Sequence, residues 1–135
     1  MSVPSIVLDT NVLISAIVFG GRPRVVLEKV ISGTFAMAIS AEMLDEFQGV
    51  LEGRKFCYPS AIVRTIVNEL LAVSELVRRT TKVKVIKADP ADNHILECAL
   101  ESRVACILTG DRHLLGLGQF EGIPILDVAT FLATY

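Results

Sequence analysis

Short apolar runs alternate along the chain with longer segments in which apolar residues recur every three or four positions. Short runs rich in β-branched residues predict buried strands, and the longer periodic segments predict helices. The predicted strands are residues 5–8, 35–39, 81–86, 105–108 and 123–126. The predicted helices are residues 12–19, 22–32, 41–51, 58–77, 91–102, 112–117 and 128–133.

Strands that alternate with helices predict an α/β fold with a central, mainly parallel sheet and helices on both faces. The five predicted strands give an expected sheet of about five strands. Parallel neighbours need a crossover connection, and the predicted helices between the strands supply it. Residues 81–86 alternate between polar and apolar side chains with outward lysines, which predicts a sheet edge. The chain has 135 residues and no linker or repeat, so we expect residues 1–135 to form one domain.

The composition narrows the class of protein. Apolar residues make up 52% of the chain and charged residues 21%, which predicts a large core. No apolar run reaches the ~18–20 residues that span a bilayer, and the N-terminus lacks a basic leader, so we expect no membrane contact and a cytoplasmic location. The net charge of −2 argues against a broad basic surface for nucleic acid but leaves a local one open.

The cysteines do not suggest a cysteine-based site. Cys57, Cys98 and Cys106 are an odd number without CxxC spacing, which argues against a disulfide framework or a zinc site. We interpret all three as thiols of the core.

Aspartates follow two of the predicted buried strands, where ligands bind in open α/β sheets. Asp9 follows strand 5–8, and Thr10 or Asn11 is the predicted cap of the next helix. Asp111 follows strand 105–108 after the turn Thr109-Gly110, where a site acid and an N-cap fit equally well. An ionised carboxylate is costly to bury at such a place unless it is paired, hydrogen-bonded or bound to a metal.

Helical geometry selects one acid in each of two further helices. In helix 41–51, Glu46 lies at the border of the apolar stripe and either pairs with a nearby base or reaches inward. In helix 91–102, Asp92 falls on the predicted buried face within the first turn, where a capping role and a site role are both open. Glu97 and Glu101 are predicted to point away from that face.

Two other aspartates are interpreted as caps. Asp89 precedes Pro90 and the helix that follows it, and Asp127 precedes the last helix.

Asp9, Glu46, Asp92 and Asp111 come from four separate elements. Four converging carboxylates repel one another strongly unless cations neutralise them. Ligand sets of oxygen alone suit Mg²⁺ or Mn²⁺, and such sites carry out phosphoryl chemistry. The sequence therefore predicts a metal-dependent site for phosphoryl transfer.

Four segments resemble the PIN-domain family, in particular the PIN-domain toxins of prokaryotic toxin–antitoxin modules. They are Val7-Leu8-Asp9-Thr10-Asn11-Val12-Leu13, Ser40-Ala41-Glu42-Met43-Leu44-Asp45-Glu46-Phe47, Asp89-Pro90-Ala91-Asp92-Asn93 with Ile95-Leu96-Glu97-Cys98-Ala99, and Ile107-Leu108-Thr109-Gly110-Asp111 with Leu114-Leu115. They occur in order over essentially the whole chain. One feature departs from typical toxins. We expect residues 20–24 to form a loop that lengthens the first helical hairpin.

The resemblance implies a three-layer α/β/α PIN-like fold and a metal-dependent ribonuclease site. It makes Asp9, Glu46, Asp92 and Asp111 the catalytic residues and the ligands of Mg²⁺ or Mn²⁺. It also makes Thr10, Asn11 and Thr109 supporting residues. The implied substrate is single-stranded RNA.

Partners follow from the resemblance and from the composition. Arg22, Arg24 and Arg112 are candidate RNA contacts, because they are among the basic residues nearest in sequence to the four acids. The family resemblance implies an antitoxin protein, and the large apolar fraction favours either a homodimer or a groove that an antitoxin covers.

Three other functions compete with the ribonuclease, and a structure-specific DNA nuclease is disfavoured because the chain lacks room for the extra helical parts that such enzymes usually carry. A non-catalytic module that binds RNA or a protein partner is the alternative, and metal binding would distinguish the two. An aspartyl phosphatase is disfavoured because Asn11 occupies the position where the second acid would stand.

Overall fold

The computed structural model of the protein describes residues 3–78 and 90–135, with side chains from Asn93 onward in the second range. The helices are α1 (Thr10–Val18), α2 (Gly21–Ile31), α3 (Ala41–Glu52), α4 (Ser60–Ala72), α5 (Pro90–Ser102), α6 (Arg112–Leu117) and α7 (Val128–Thr134). The strands are β1 (Ser5–Leu8), β2 (Ala36–Ser40), β3 (Ser74–Val77), β4 (Cys106–Leu108), β5 (Gln119–Phe120) and β6 (Ile123–Leu126).

The strands form a single sheet in the order β3-β2-β1-β4-β6-β5. Strands β3, β2, β1, β4 and β6 run parallel to one another, and the two-residue strand β5 pairs antiparallel with β6. This confirms the predicted α/β fold with a mainly parallel sheet, and the described residues contribute six strands where about five were expected. From β1 the chain continues to β2 and β3 on one side of β1, and it then crosses to β4 and β6 on the other side. The direction in which strands are added to the sheet therefore reverses between β1 and β4. In open α/β sheets, that reversal opens a crevice beyond the carboxyl ends of the strands.

The core forms around the central strands because their side chains are apolar on both faces. Ile6, Val7 and Leu8 of β1 and all three residues of β4 are buried. Parallel strands that are covered on both faces read as continuous apolar runs, and this is why the sequence identified them.

The segment 58–77 differs from its prediction. The helix predicted to continue to residue 77 ends at Ala72, and Ser74–Val77 forms the edge strand β3 beside β2. Four residues of this segment pair with β2, and the hydrogen bonds between the two strands stabilise it as a strand. Its apolar spacing fits both a helix and a strand, so the sequence pattern did not distinguish them. The strand predicted at residues 81–86 and the cap predicted at Asp89 lie outside the described residues.

The turn between α1 and α2 is shorter than expected. Residues 21–24 belong to α2, so the predicted loop at 20–24 reduces to Phe19 and Gly20. Gly20 has a φ of 81°, a backbone conformation that favours glycine, and the two helices meet at an angle of 99°. No single helix among the described residues is long and apolar enough to span a membrane. Only α1 and α2 counted together reach that length and apolar composition, and they are sharply bent at their junction.

Two phenylalanines provide a test of the core. Phe47 of α3 is fully buried, whereas Phe19 after α1 is 72% exposed. We expect Phe47→Ala to lower the free energy of unfolding by about 3–5 kcal/mol, because it removes a buried ring and leaves a cavity. Phe19→Ala, measured in the same urea titration, should cost less than about 1 kcal/mol, because Phe19 is largely exposed and its ring meets Phe56 only edge-on. Equal costs would contradict the described packing of α3.

Candidate active site

The strand register places polar residues in a row at the carboxyl ends of the strands, which form one edge of the sheet. Leu8 pairs with Leu108, and Leu108 pairs with Leu126. The residues that follow, Asp9, Thr109 and Asp127, therefore lie side by side on neighbouring strands, which are about 4.8 Å apart. β2 ends at the same edge with Ser40.

Helices begin at this edge, and polar side chains of the edge cap them. Asp9, Ser40 and Asp127 are the N-caps of α1, α3 and α7, and Asp111 is the N-cap of α6. The N-terminal end of a helix carries a partial positive charge and free N–H groups, which stabilise anions. This arrangement lets several carboxylates lie close together at one edge of the sheet.

Asp9 is the central acid of the row and is only 4% exposed. Its Oδ1 accepts a hydrogen bond of 3.3 Å from the backbone N–H of Asn11, and its Oδ2 accepts one of 2.6 Å from the Thr109 hydroxyl. Its own N–H donates to the Leu108 carbonyl at 2.8 Å, which ties the ends of β1 and β4 together. Donors of this kind favour the ionised form of a buried carboxylate.

The cap of α1 differs from the prediction. Asp9 itself caps the helix, and the predicted caps Thr10 and Asn11 lie in its first turn. Asn11 is exposed and supplies its backbone N–H. Thr10 is buried, and its hydroxyl makes no hydrogen bond within the described part of the chain.

Thr109 links Asp9 to Asp111. Its hydroxyl donates to Asp9 and accepts a hydrogen bond of 3.0 Å from the Asp111 backbone N–H. Asp111 is half-buried, and its Oδ1 accepts from the N–H groups of His113 at 2.7 Å and Leu114 at 3.4 Å. The capping interpretation of Asp111 is therefore correct, and no hydrogen bond from the described residues reaches its Oδ2. This oxygen can accept a further ligand.

The other two predicted site acids are less completely described. Glu46 of α3 is half-buried beside the buried Phe47, in agreement with a border position. The backbone of Asp92 lies in the first turn of α5, and its side chain is outside the description. Among the described side chains, no three histidines, cysteines or acids group closely enough to hold a metal ion. The structure thus brings Asp9 and Asp111 together through Thr109.

Glu97 of α5 is a buried acid that the sequence analysis assigned to the surface. It is 2% exposed, and Asn93, one turn before it on the same side of the helix, is buried too. The prediction was wrong because α5 packs against β1 and β2 on one side and against α3 on another, so it has more than one buried face. The sequence contained one signal of a second buried face. Cys98, next to Glu97, is a residue type expected in the core, and it lies outside the expected apolar stripe and is buried.

Two of the three cysteines, Cys98 and Cys106, are buried thiols of the core. Burial raises the pKa of Cys98 to about 12, with Glu75 and Glu42 adding to the effect, and burial raises the pKa of Cys106 to about 11. Both remain protonated at neutral pH, as expected of core thiols. Cys57 is exposed, so its assignment to the core was wrong.

The three candidate arginines are all exposed but differ in their surroundings. Arg24 forms an ion pair with Glu28 on the same helix, with 3.4 Å between Nε and Oε1. Arg112 begins α6 directly after Asp111. Hydrogen bonds from Thr130 lower the pKa of Asp127, and the nearby Arg22 guanidinium lowers it further.

The link through Thr109 can be tested by unfolding. We expect Thr109→Val to lower the free energy of unfolding by about 1–3 kcal/mol, because it leaves a buried carboxylate without its hydroxyl donor. Thr109→Ser retains the donor and should recover most of this loss in the same urea titration. A Val variant as stable as the native protein would show that Asp9 does not depend on Thr109.

The family model described as PIN domain matches residues 5–113. No curated protein sequence matches. Similar solved structures include VapBC2 from Rickettsia felis bound to a promoter DNA fragment, with 17% identity over 91% of this chain and 98% of that chain and a TM-score of 0.65.

Two further structures share the fold. DNA-bound VapBC from Salmonella typhimurium has 19% identity over 95% of this chain and 99% of that chain, with a TM-score of 0.61. The PIN domain endonuclease Utp24 has 20% identity over 91% of this chain and 84% of that chain, with a TM-score of 0.55. The sequence match covers most of the chain, and these structures share its fold. The chain therefore belongs to the PIN-domain family.

Proposed function

We propose that the protein is a metal-dependent endoribonuclease that cleaves single-stranded RNA and acts as the toxin of a toxin–antitoxin module. The observation that carries this proposal is the hydrogen-bonded chain Asp9–Thr109–Asp111 at the crevice between β1 and β4. Membership of a family that includes an endonuclease supports it.

The side chains at this edge fit a hard divalent cation. The donors are carboxylate and hydroxyl oxygens, which Mg²⁺ and Mn²⁺ prefer, and Asp9 is held by two hydrogen-bond donors. Asp9, Asp92 and Asp111 would hold the ion, and Glu46 would hold a second ion or orient the attacking water. A bound cation would activate water and neutralise charge on the phosphate oxygens.

The residues of the chain have separate roles in this proposal. Thr109 keeps the Asp9 carboxylate oriented, because it donates to one oxygen and is itself fixed by the Asp111 N–H. Asn11 supports Asp9 from the first turn of α1 through its backbone N–H, whereas the buried Thr10 hydroxyl makes no hydrogen bond with any described residue. The N-termini of α1 and α6 stabilise the negative charge that gathers between them.

Cleavage of labelled single-stranded RNA tests the proposal. We expect cleavage with Mn²⁺ and none with EDTA. Asp9→Asn or Asp111→Asn should lower the rate at least about 100-fold, since outer-shell partners of a metal alone are worth about 10–100-fold. Both variants should remain folded because Asn is also a good N-cap.

Asp45→Asn is the matched control, because Asp45 is an exposed acid of α3 outside the site, and it should retain the native rate. Cleavage that persists in both site variants would overturn the assignment.

A non-catalytic binding module is the alternative. One observation favours it: Asp9 and Asp111 both cap helices, a structural role that requires no metal. Calorimetry with Mn²⁺ separates the two functions, since the binding module requires no metal. Absence of both Mn²⁺ binding and cleavage would support the module.

The surface offers a place for an antitoxin. A groove of about 390 Å³ lies between α1, α2 and α4 and is lined mainly by apolar side chains, including Ile17, Leu27, Ile31 and Ile66. Structures of the VapBC type share this fold. We assign the groove to an apolar segment of the antitoxin, which would cover side chains that are costly to expose.

Two isoleucines of similar exposure test the groove. Ile31 lines it and is 61% exposed, whereas Ile62 is 51% exposed and lies outside the lining. We expect Ile31→Glu to weaken antitoxin binding by at least about tenfold, since burying an unpaired charge is costly, and Ile62→Glu to leave it unchanged.

The proposed homodimer is the other outcome of this experiment. If light scattering shows a dimer of the free protein that Ile31→Glu dissociates, the groove is the dimer interface and not the antitoxin site.

A further inference from the structure

Phe19 and Phe56 form an aromatic pair at the surface, beside the turn between α1 and α2. Phe19 is 72% exposed, and no large apolar residue of the described ranges is more exposed. Its ring meets the half-buried Phe56 edge to face, with ring centroids 6.2 Å apart and ring planes at 67°. Phe56 packs against the core and so fixes the position of the pair. At this exposure the Phe19 ring presents an open face, on which a planar group can stack.

A cation accompanies this pair. Lys55 Nζ lies 5.3 Å from the centroid of the Phe56 ring, which is a cation–π distance. The turn that carries both residues is closed by a backbone hydrogen bond of 2.8 Å from the Cys57 N–H to the Gly53 carbonyl. The turn therefore holds Lys55 against the rings. We call Phe19, Phe56 and Lys55 the aromatic patch.

The two segments that form the aromatic patch contain no acid. Neither residues 10–24, which include Phe19, nor residues 53–58, which include Phe56, contain an aspartate or a glutamate, although the chain has a net charge of −2. The second segment adds the exposed Arg54 next to Lys55. The aromatic patch is therefore a locally basic part of an acidic chain.

Helix α1 connects the aromatic patch with the candidate active site. The helix is capped by Asp9 at the carboxyl edge of the sheet and ends at Phe19. A rise of 1.5 Å per residue places Phe19 about 15 Å from Asp9 along the helix. Asn11, Ser15 and Phe19 follow one another at intervals of four residues, so they lie in one row, and none of them is fully buried. An uncharged row thus leads from the acids to the aromatic patch.

Rings and cations together suit a single-stranded nucleic acid. Its bases stack on aromatic side chains and its phosphates attract basic residues, whereas a duplex keeps its bases stacked inside. A protein partner would favour a contiguous apolar surface, such as the groove between α1, α2 and α4. The chain neighbours of Phe19 and Phe56 instead include glycine, lysine and arginine.

We propose that the aromatic patch binds the RNA substrate outside the catalytic centre, with one base stacked on Phe19 and a phosphate beside Lys55. The strand follows the outer face of α1 between the two places. Successive nucleotides of a stacked strand are about 3.4 Å apart, so about four or five nucleotides separate this base from the scissile phosphate. The contact accepts any base, because every base has a π-face. This inference rests on the proposed ribonuclease function and adds a second point of contact with its substrate.

Binding of fluorescein-labelled single-stranded RNA tests the stacking contact. Anisotropy is measured with Ca²⁺ in place of Mn²⁺, and a gel checks that the RNA stays intact. We expect Phe19→Ala to weaken binding about tenfold, as for the loss of one stacked base. Phe19→Trp keeps an aromatic ring and should retain the native affinity, whereas Phe19→Leu is apolar without a π-face and should lose it as Phe19→Ala does. Tyr135→Ala is the matched control, because Tyr135 is an exposed aromatic residue that stacks on Phe131, and it should retain the native affinity.

The dependence of binding on salt tests the phosphate contact. We expect Lys55→Gln to reduce the slope of log affinity against log salt concentration by about 0.7, the value for one phosphate of a single strand. Lys55→Arg keeps the charge and should keep the native slope. An unchanged slope in Lys55→Gln would overturn the phosphate contact.

The outcomes separate the aromatic patch from the proposed function. If the native protein binds and cleaves RNA and Phe19→Ala retains the native affinity, the patch does not bind RNA and the ribonuclease stands. Native affinity in Phe19→Leu would overturn stacking, since an apolar contact would then suffice. If Phe19→Ala weakens binding of the antitoxin and not of RNA, the patch is a protein-binding surface. Absence of cleavage by the native protein, with RNA binding that Phe19→Ala weakens, would overturn the proposed function and support the patch as a nucleic-acid site.

Discussion

The hydrogen bond between the Thr109 hydroxyl and the Asp9 carboxylate is the interaction on which the candidate site depends. A carboxylate buried to this extent is stable only when donors surround it, and the Asn11 N–H and the Thr109 hydroxyl supply them. Thr109 can do this because it accepts from the Asp111 N–H, which fixes its own proton toward Asp9. The acids of the site are therefore also structural groups that cap helices and connect strands.

The parts of the site that depend on local sequence could be predicted. The ends of β1 and β4 and the cap at Asp127 were each apparent from a few neighbouring residues, because a short apolar run followed by a polar cap specifies both elements. The family resemblance added the expectation that the acids form a ribonuclease site. The meeting of Asp9 and Thr109 depends on the pairing of β1 with β4, which no local pattern contains.

The predictions that were wrong concern surroundings set by distant elements. Glu97 was assigned to the surface because a helix with one apolar stripe was assumed, whereas α5 crosses the central strands and also meets α3. The segment Ser74–Val77 was assigned to a helix because its apolar spacing fits both structures, and its pairing with β2 decided between them. In both cases tertiary contacts override the local preference.

The hydrogen bond that joins the two halves of the site connects residues 100 positions apart in the chain. During synthesis, the ribosome must therefore release β4 and the turn that follows it before the two halves can meet. Until then β1 lacks one of its two neighbours in the sheet, and non-local parallel pairing of this kind is slow to form. In a nascent chain the Asp9 carboxylate therefore lacks its hydroxyl donor until Thr109 has been made, and the proposed ribonuclease site would not be assembled before that point.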